Sequence, residues 1–567
     1  MDINKNLAID RLFSLAVKNH KENNIKVAQN LYEKVLNMNP NFANAHNNLG
    51  IIYQSLGEKK NAINSFEMSI KINPNHTDSY YNLGSIFKEL GEIKKAKKCY
   101  EKTIEINPNH IEAHNNLGVT FQTLEDYQNA KKCYEKAIEI DPSFFKAHHN
   151  LGITFQALED YQNAKKCYEK AIEIDPSFFK AHNNLGVIFK ELGETGKAKN
   201  SFEKTIIINP DYADGYNNLG VVFQESGEIE KAKSCFKKVI NINPDYGDAH
   251  SNLGVIFQEL GENQEARDCY EKVIEIDPSH QIALYNLGLI LFLGLQYKEA
   301  EKKFRLTNFK DSKSYLLNCL YMLGDKFTFF KELDNQINQG KTNPIIGSLI
   351  YRSEIKYGIK RSNPFCKDPF KYVLMTDLTD QYNFEDVFTK PIKKFLKDDY
   401  FFPRQQSLLT NGYQTAGNIF SIKNDLLNKI EDIIHLELDK YYDHYKKSKE
   451  GIIMNWPKAY NITAWLVSMK SGGKLAPHMH DHGWLSGSIY INVPPKLKTD
   501  SGNLVVCLDD QESKKNENIN QKKEIDVSTG SLCLFPSSLY HYTIPFESKE
   551  DRIVVAFDMI PKKLSIN

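Results

Sequence analysis

Three of the chain's 16 histidines fall within five residues, in Pro477-His478-Met479-His480-Asp481-His482. The stretch follows a strand-like run at 460–470 and a Gly472-Gly473 break, and it leads into a second strand-like run at 486–493. On a β-strand, residues two apart point to the same face. His478 and His480 can therefore aim both imidazoles at one point, and so can His480 and His482. Paired neutral imidazoles suit iron, zinc, copper and nickel. A third ligand has to come from elsewhere, and His541, in the strand-like Leu539-Tyr540-His541-Tyr542-Thr543, is the best placed.

Beyond His541 a polar turn at 547–551 leads to Arg552 and then to Ile553-Val554-Val555-Ala556-Phe557-Asp558. Taken together, Pro477-His478-x-His480, Ser486-Gly487-x-x-Tyr490, Pro494, Gly530, Phe535-Pro536-Ser537, His541, Pro545, Arg552 and Phe557 form an ordered set over about eighty residues. The set resembles the bacterial and phage branch of the 2-oxoglutarate/Fe(II)-dependent oxygenases, and Gln414-Thr415-x-Gly417-Asn418 resembles the same branch. The resemblance implies Fe(II) at His478, His480 and His541, and 2-oxoglutarate held by Arg552 with Tyr490 beside it. It implies hydroxylation with decarboxylation of 2-oxoglutarate to succinate. The usual first pair in such sites is His-x-Asp, whereas this chain has His478-x-His480. Three readings stay open: a three-histidine site, a carboxylate from Asp481, or two histidines alone, as in the aspartyl/asparaginyl β-hydroxylases. An imidazole in place of the carboxylate leaves one more positive charge on the metal centre.

Tyr490 resembles the strand-three tyrosine of prolyl hydroxylases that reaches the distal carboxylate of 2-oxoglutarate; the alternative is an aromatic packed inside the barrel. Trp484 is expected as a pocket wall. Arg552 suits the far end of a dicarboxylate because its planar fork pairs two oxygens at once. It is expected at the top of the strand that pairs with that of His541 across the turn 546–551. The alternative is a surface arginine bridging to Glu550 or Asp551.

The elements that must position these residues are eight short strands, at 460–470, 476–480, 486–493, 503–508, 524–527, 531–535, 540–545 and 552–559. Their number and the placing of His-x-His, His541 and Arg552 on them fit a double-stranded β-helix, or jelly roll. The polar segment 509–523 is expected to be a loop or lid, and 424–445 an amphipathic helix. The fold class is thus an all-α superhelix followed by an α+β domain.

The N-terminal half is a repeat array. Gly50, Gly84, Gly118, Gly152, Gly186, Gly220, Gly254 and Gly288 recur every 34 residues, as do the alanines from Ala62 to Ala300. Prolines from Pro40 to Pro278 close the units. This period and pattern are those of the tetratricopeptide repeat (TPR). Each unit is two helices that cannot bury their apolar face alone, so neighbours must stack. Nine units are read over residues 1–314, then a helical cap or linker over 315–365, then the oxygenase-like domain over 366–567. Residues 121–150 and 155–184 differ only at Thr123/Ala157 and His149/Asn183. His46, His114, His148, His182 and His250 occupy a helix-packing slot and are read as core residues. Asn48, Asn82, Asn116, Asn150, Asn184, Asn218, Asn252 and Asn286 share one helical position. That row resembles the asparagine ladder of the O-linked N-acetylglucosamine transferases, which implies a peptide held by its backbone along the groove.

Lys+Arg and Asp+Glu are equal at 72 each, which gives no support for nucleic acid or an anionic membrane as partner. No apolar run reaches the ~18–20 residues of a membrane span, and the start lacks the blocks of a signal peptide. A cytoplasmic protein is expected, with free thiols among its nine cysteines. The reading is an Fe(II)/2-oxoglutarate dioxygenase acting on a protein or peptide recruited by the repeats. The rivals are a non-catalytic TPR scaffold with a metal-binding cupin-like domain, and a cupin-type enzyme with a three-histidine metal. A glycosyltransferase is disfavoured because the C-terminal part lacks room for a nucleotide-sugar domain.

Overall fold

The computed structural model describes residues 3–396, 403–404, 408–415, 417–422, 424–509 and 521–562. The chain divides into two compact units, Met1–Ile276 and Asp277–Asn567. The first is a run of helix pairs, such as Ala43–Ser55 with Lys59–Ile72 and Ile111–Thr123 with Tyr127–Ile140. The pairing depends on a missing side chain. A Cβ on Gly118 would lie 2.5 Å from the Tyr134 ring, and one on Gly152 would lie 2.6 Å from Tyr168. Real atoms do not approach that closely, so only glycine lets the aromatic of the second helix lie against the first. Ala96, Ala130 and Ala164 are fully buried at the same crossings.

The links between units use short polar side chains. Asn73 Oδ1 accepts from the Asn75 backbone N–H at 3.0 Å, bending the chain around Pro74. The slot histidines reach these links: His46, His114, His148, His182 and His250 each place Nε2 at 2.9–3.0 Å from the carbonyl oxygen of the proline six residues earlier. His114 and His182 are buried, while His46, His148 and His250 are half-buried. They tie each link to the helix that follows it.

The asparagine row makes a second set of ties. Asn82 Nδ2 donates to Asn47 Oδ1 at 3.2 Å, Asn116 to Tyr81 Oη at 3.1 Å and Asn150 to Asn115 Oδ1 at 2.9 Å. Asn184 donates to His149 Nε2 at 3.1 Å, Asn218 to Asn183 Oδ1 at 3.1 Å and Asn252 to Asn217 Oδ1 at 3.4 Å. Each bond spans 35 residues and joins the first helices of consecutive units. Asn48 donates to Tyr32 Oη at 3.2 Å.

The second unit begins with the helices Gln281–Leu293 and Tyr297–Leu306, which keep the repeat spacing, then Ser312–Leu323, Lys326–Asn338 and Pro344–Tyr357. Ten strands follow. They are β1 (Leu374–Asp377), β2 (Pro403–Arg404), β3 (Leu409–Thr415), β4 (Tyr460–His478), β5 (Leu485–Asn492), β6 (Leu504–Cys507), β7 (Lys522–Ile525), β8 (Ser531–Pro536), β9 (Tyr540–Thr543) and β10 (Arg552–Pro561). The first two expected strands are one, β4, which continues through Gly472, at φ +73°, and Gly473. Antiparallel pairing runs β1-β8-β5-β10-β4-β9-β6-β7, with β3 also on β4. The long β4 thus belongs to two four-stranded halves, β8-β5-β10-β4 and β4-β9-β6-β7. Most of the segment expected as a lid, residues 510–520, lies outside the described residues.

Side chains alternate along β10. Ile553, Val555, Phe557 and Met559 pack outward into a core shared with Leu427, Ile430, Ile434 and Leu438 of the helix Asp425–Tyr445. The intervening Arg552, Val554 and Ala556 line a pocket. No helix among the described residues is long and apolar enough to cross a membrane.

Two outcomes test this description. The turn between paired helices holds glycine at positive φ in five units, from Gly57 to Gly261, but Glu125 and Glu159 adopt φ 58° and 59° at the same place. L side chains disfavour that region, so Glu125→Gly and Glu159→Gly should each stabilise the array by about 1 kcal/mol in denaturant titration. On helix propensity alone, alanine at Asn116, Asn150, Asn184 and Asn218 would be neutral or slightly favourable. Those changes remove inter-unit hydrogen bonds worth about 0.5–1.5 kcal/mol each, so the fourfold variant should melt below the parent by circular dichroism.

Candidate metal centre

β4 ends at His478, which stands directly opposite His541 of β9 in the antiparallel register. His480 lies two residues on, in the turn before β5. The three imidazoles converge, with ring centroids 4.2 Å apart for His478 and His541, 4.8 Å for His480 and His541, and 5.1 Å for His478 and His480. One nitrogen from each lies within 4.8 Å of the others.

The hydrogen bonds fix which nitrogens are bare. His478 Nδ1 lies 2.9 Å from the Ala476 carbonyl oxygen, so its proton is on Nδ1. His480 Nδ1 lies 2.7 Å from Asp558 Oδ1, which fixes the same tautomer. The two Nε2 atoms face each other at 3.2 Å. At that distance the pair needs a shared proton or a cation. Burial, and then the charge of His480, pull His478 down to about 4. Burial also pulls on His480, but the charge and hydrogen bond of Asp558, with Asp481 further off, raise it above its ordinary value. His541 is held well below its ordinary value by burial, then by His478 and His480. Its Nδ1 is buried and has no hydrogen-bond partner among the described residues. Two largely neutral rings, bare nitrogens face to face and an orphaned buried nitrogen are the donor set of a divalent metal.

The histidines open on a cavity of about 380 Å³. Trp465, Val467, Met469, Leu475 and Phe535 give it an apolar wall, and Arg552 and Tyr490 also line it. Arg552 is only 2 % exposed, and its Nε and Nη2 have no hydrogen-bond partner among the described residues. Its guanidinium carbon sits 5.0 Å from the centre of the Tyr490 ring. Burial lowers the affinity of Arg552 for its proton, and the neighbouring Tyr490 opposes that. A buried cation with two idle donors calls for an anion.

Arg552 arrives by a different route from the expected one. β9 and β10 do not pair. β9 lies between β4 and β6, and β10 between β4 and β5, with Arg552 opposite Met469. The turn after β9 carries the chain from one half of the sheet to the other, so His541 and Arg552 meet across the pocket rather than along a hairpin. The arginine is not a surface partner of Glu550 or Asp551. Trp484 is not a pocket wall either. Its indole N–H donates to the Ile452 carbonyl at 2.9 Å and its ring meets Phe365 edge-on, on the outer side of the sheet. The pocket tryptophan is Trp465, edge-on to His480 at 5.2 Å.

The remaining residues of the histidine turn point away from the cluster. Asp481 Oδ2 accepts from Tyr315 Oη at 3.1 Å, and His482 is exposed, with Nδ1 3.9 Å from Asp311 Oδ2. Tyr315 belongs to the helix Ser312–Leu323. A second helical residue, Arg352, is buried with Nε 3.4 Å from Asp509 Oδ1 and its guanidinium over the rings of Tyr321 and Tyr540, at 4.5 and 5.3 Å. Tyr540 precedes His541. The helices before residue 365 therefore brace both the turn that carries His480 and the strand that carries His541.

Residues 463–558 match the family model described as "Putative 2OG-Fe(II) oxygenase". Tetratricopeptide-repeat models match 43–76, 77–110, 111–144, 145–178, 213–246 and 247–280, and a further one matches 167–200. Among solved structures, the TPR protein YrrB, described as having an unusual peptide-binding site, is 25% identical; the match covers 33% of this chain and 95% of that one, with a TM-score of 0.28. MamA is also 25% identical, over 29% of this chain and 95% of that one, with a TM-score of 0.27. PilF of Pseudomonas aeruginosa is 22% identical, over 36% and 94%, with a TM-score of 0.34. No curated protein matches the chain. The chain carries TPR repeats and, at 463–558, a domain matched as a 2OG-Fe(II) oxygenase.

The bracing by Arg352 has a measurable consequence. Arg352→Ala removes a buried cation from beside Asp509 and from the rings of Tyr321 and Tyr540. It should destabilise the second unit by on the order of 2–4 kcal/mol, seen as a lower midpoint for the tryptophan fluorescence transition, since all three tryptophans lie there.

Proposed function

We propose that the chain is an Fe(II)- and 2-oxoglutarate-dependent dioxygenase that hydroxylates a protein or peptide. The observation that carries the reading is one pocket that holds both a three-histidine cluster and a buried arginine with two idle donors. His478, His480 and His541 would hold the metal through their converging nitrogens. Iron(II) there would supply activation of dioxygen, with one oxygen atom entering succinate and the other inserting into a substrate C–H bond to give C–OH as 2-oxoglutarate loses carbon dioxide.

The protein's own groups do the positioning. Arg552 offers a planar fork to the far carboxylate of the diacid. Tyr490 lies under the guanidinium and sets the floor of that end. Trp465, Val467, Met469 and Leu475 keep water from the middle of the cavity, which strengthens the ion pair formed there. The pairing order of the two half-sheets supports a double-stranded β-helix as the frame. Asp481 is left out of the proposed ligand set because its carboxylate is engaged by Tyr315.

A protein or peptide partner is proposed for the array on the ground of its repeats. The ladder asparagines from Asn48 to Asn252 already spend one of their two N–H donors within the array, so a peptide backbone bound along Asn48 to Asn286 would use the second N–H or the amide oxygens. A non-catalytic scaffold remains the rival reading, and turnover separates the two.

Arg552→Lys is the decisive variant, since a point charge cannot reproduce the fork. Anaerobic titration of the Fe(II) protein with 2-oxoglutarate should give a metal-to-ligand charge-transfer band. In the variant the apparent affinity for 2-oxoglutarate should fall tenfold or more, about 1.4 kcal/mol, with iron binding retained. Wild-type dependence on 2-oxoglutarate in that variant would remove Arg552 from the site, and absence of succinate formation by the parent would favour the scaffold.

A further inference from the structure

Two motif residues, Ser486 and Ser537, have no part in the chemistry above, and the structure brings Ser486 to a carboxylate and Ser537 to Ser486. Asp558 lies on β10 in the same alternation as Arg552, Val554 and Ala556, and stands opposite Ser486 in the β10–β5 register. It is buried, at 7 % exposure. Ser486 Oγ donates to Asp558 Oδ1 at 2.8 Å and lies 2.8 Å from Ser537 Oγ. His480 Nδ1 donates to the same Asp558 oxygen at 2.7 Å. The approach is tight. A Cβ on Gly483 would lie 2.7 Å from Ser537 Oγ and 3.1 Å from Asp558 Cγ. Only glycine lets the turn carrying His480 close over this carboxylate.

We propose that Asp558 is a positioning residue that supplies, through His480, the negative charge a directly bound carboxylate would bring to the metal. Three neutral imidazoles leave the site one charge short of the two-histidine, one-carboxylate arrangement. A carboxylate bonded to the far nitrogen of a metal-binding imidazole fixes the ring's tautomer and makes the near nitrogen a stronger donor. Among the described residues His478 and His541 have no such carboxylate: His478 donates to a backbone carbonyl, and His541 Nδ1 has no hydrogen-bond partner. The three ligands are therefore unequal, and His480 is the strongest donor. Ser486 holds the carboxylate and Ser537 holds Ser486, which gives the Ser-Gly and Phe-Pro-Ser parts of the motif a physical role.

The inference rests on the three histidines holding a metal and is independent of the reaction. Its test is Co(II) affinity, measured by competition with a chromogenic chelator on the full chain. Asp558→Asn keeps the shape and removes the charge. It should weaken Co(II) binding 10- to 100-fold, with the melting temperature of the metal-free protein unchanged. In a His480→Ala background the same change should alter Co(II) affinity less than twofold, an outcome that a general loss of packing would not give. If Asn is not tolerated, Asp558→Ser removes the charge with less bulk and carries the same expectation. Parent-like affinity in Asp558→Asn, or an equal loss with and without His480, would overturn the proposal. A parent that binds no Co(II) would overturn the metal reading itself, and this inference with it.

Discussion

The site depends on the pleat of β10. Successive side chains point to opposite faces, and both faces of this strand are enclosed. Ile553, Val555, Phe557 and Met559 are held by the helix behind the sheet, and so Arg552, Val554, Ala556 and Asp558 must face the other way. A slip of one residue would put a guanidinium and a carboxylate into an apolar core. Fixing the outer face thus sets both the proposed anion anchor at one end of the pocket and the support for His480 at the other. β5 works alike, with Leu485, Ile489 and Ile491 outward and Ser486, Ser488 and Tyr490 inward.

Local patterns carried much of this into the sequence. A period of 34 residues announces stacked helix pairs, because each pair repeats the same glycine-on-aromatic contact. His-x-His on a strand announces convergent imidazoles, because strand geometry is regular over two residues. Arg552 stood out as a cation opening an apolar strand. What could not be read was whatever depends on which strands become neighbours. Nothing local tells that β9 and β10, adjacent in sequence, lie in different places in the sheet. Asp558 was passed over for the same reason. Its partners Ser486 and His480 come from other segments, and Asp558 lies 78 residues from His480 in the chain.

The two tryptophans show how narrow the margin is. Trp484 sits nearer the histidines in sequence, yet its indole N–H needs an acceptor and finds one at Ile452, away from the pocket. Trp465 is farther from the histidines in sequence but lies on β4 facing His480. The asparagine row makes the opposite point. A regular position suggested a surface for a ligand, while the same regularity is what a bond between identical neighbours requires.

The helices ahead of residue 365 carry the remaining lesson. Tyr315 holds the turn of His480 through Asp481, and Arg352 touches both Asp509 and the ring next to His541. Cutting the chain where its composition changes would strip a buried cation and a hydroxyl from the back of the histidine cluster. A fragment that keeps both braces must start no later than Ser312, and the compact unit that contains them starts at Asp277. The helices Ser312–Leu323 and Pro344–Tyr357 thus belong structurally with the histidine cluster, whatever number of repeats lies upstream.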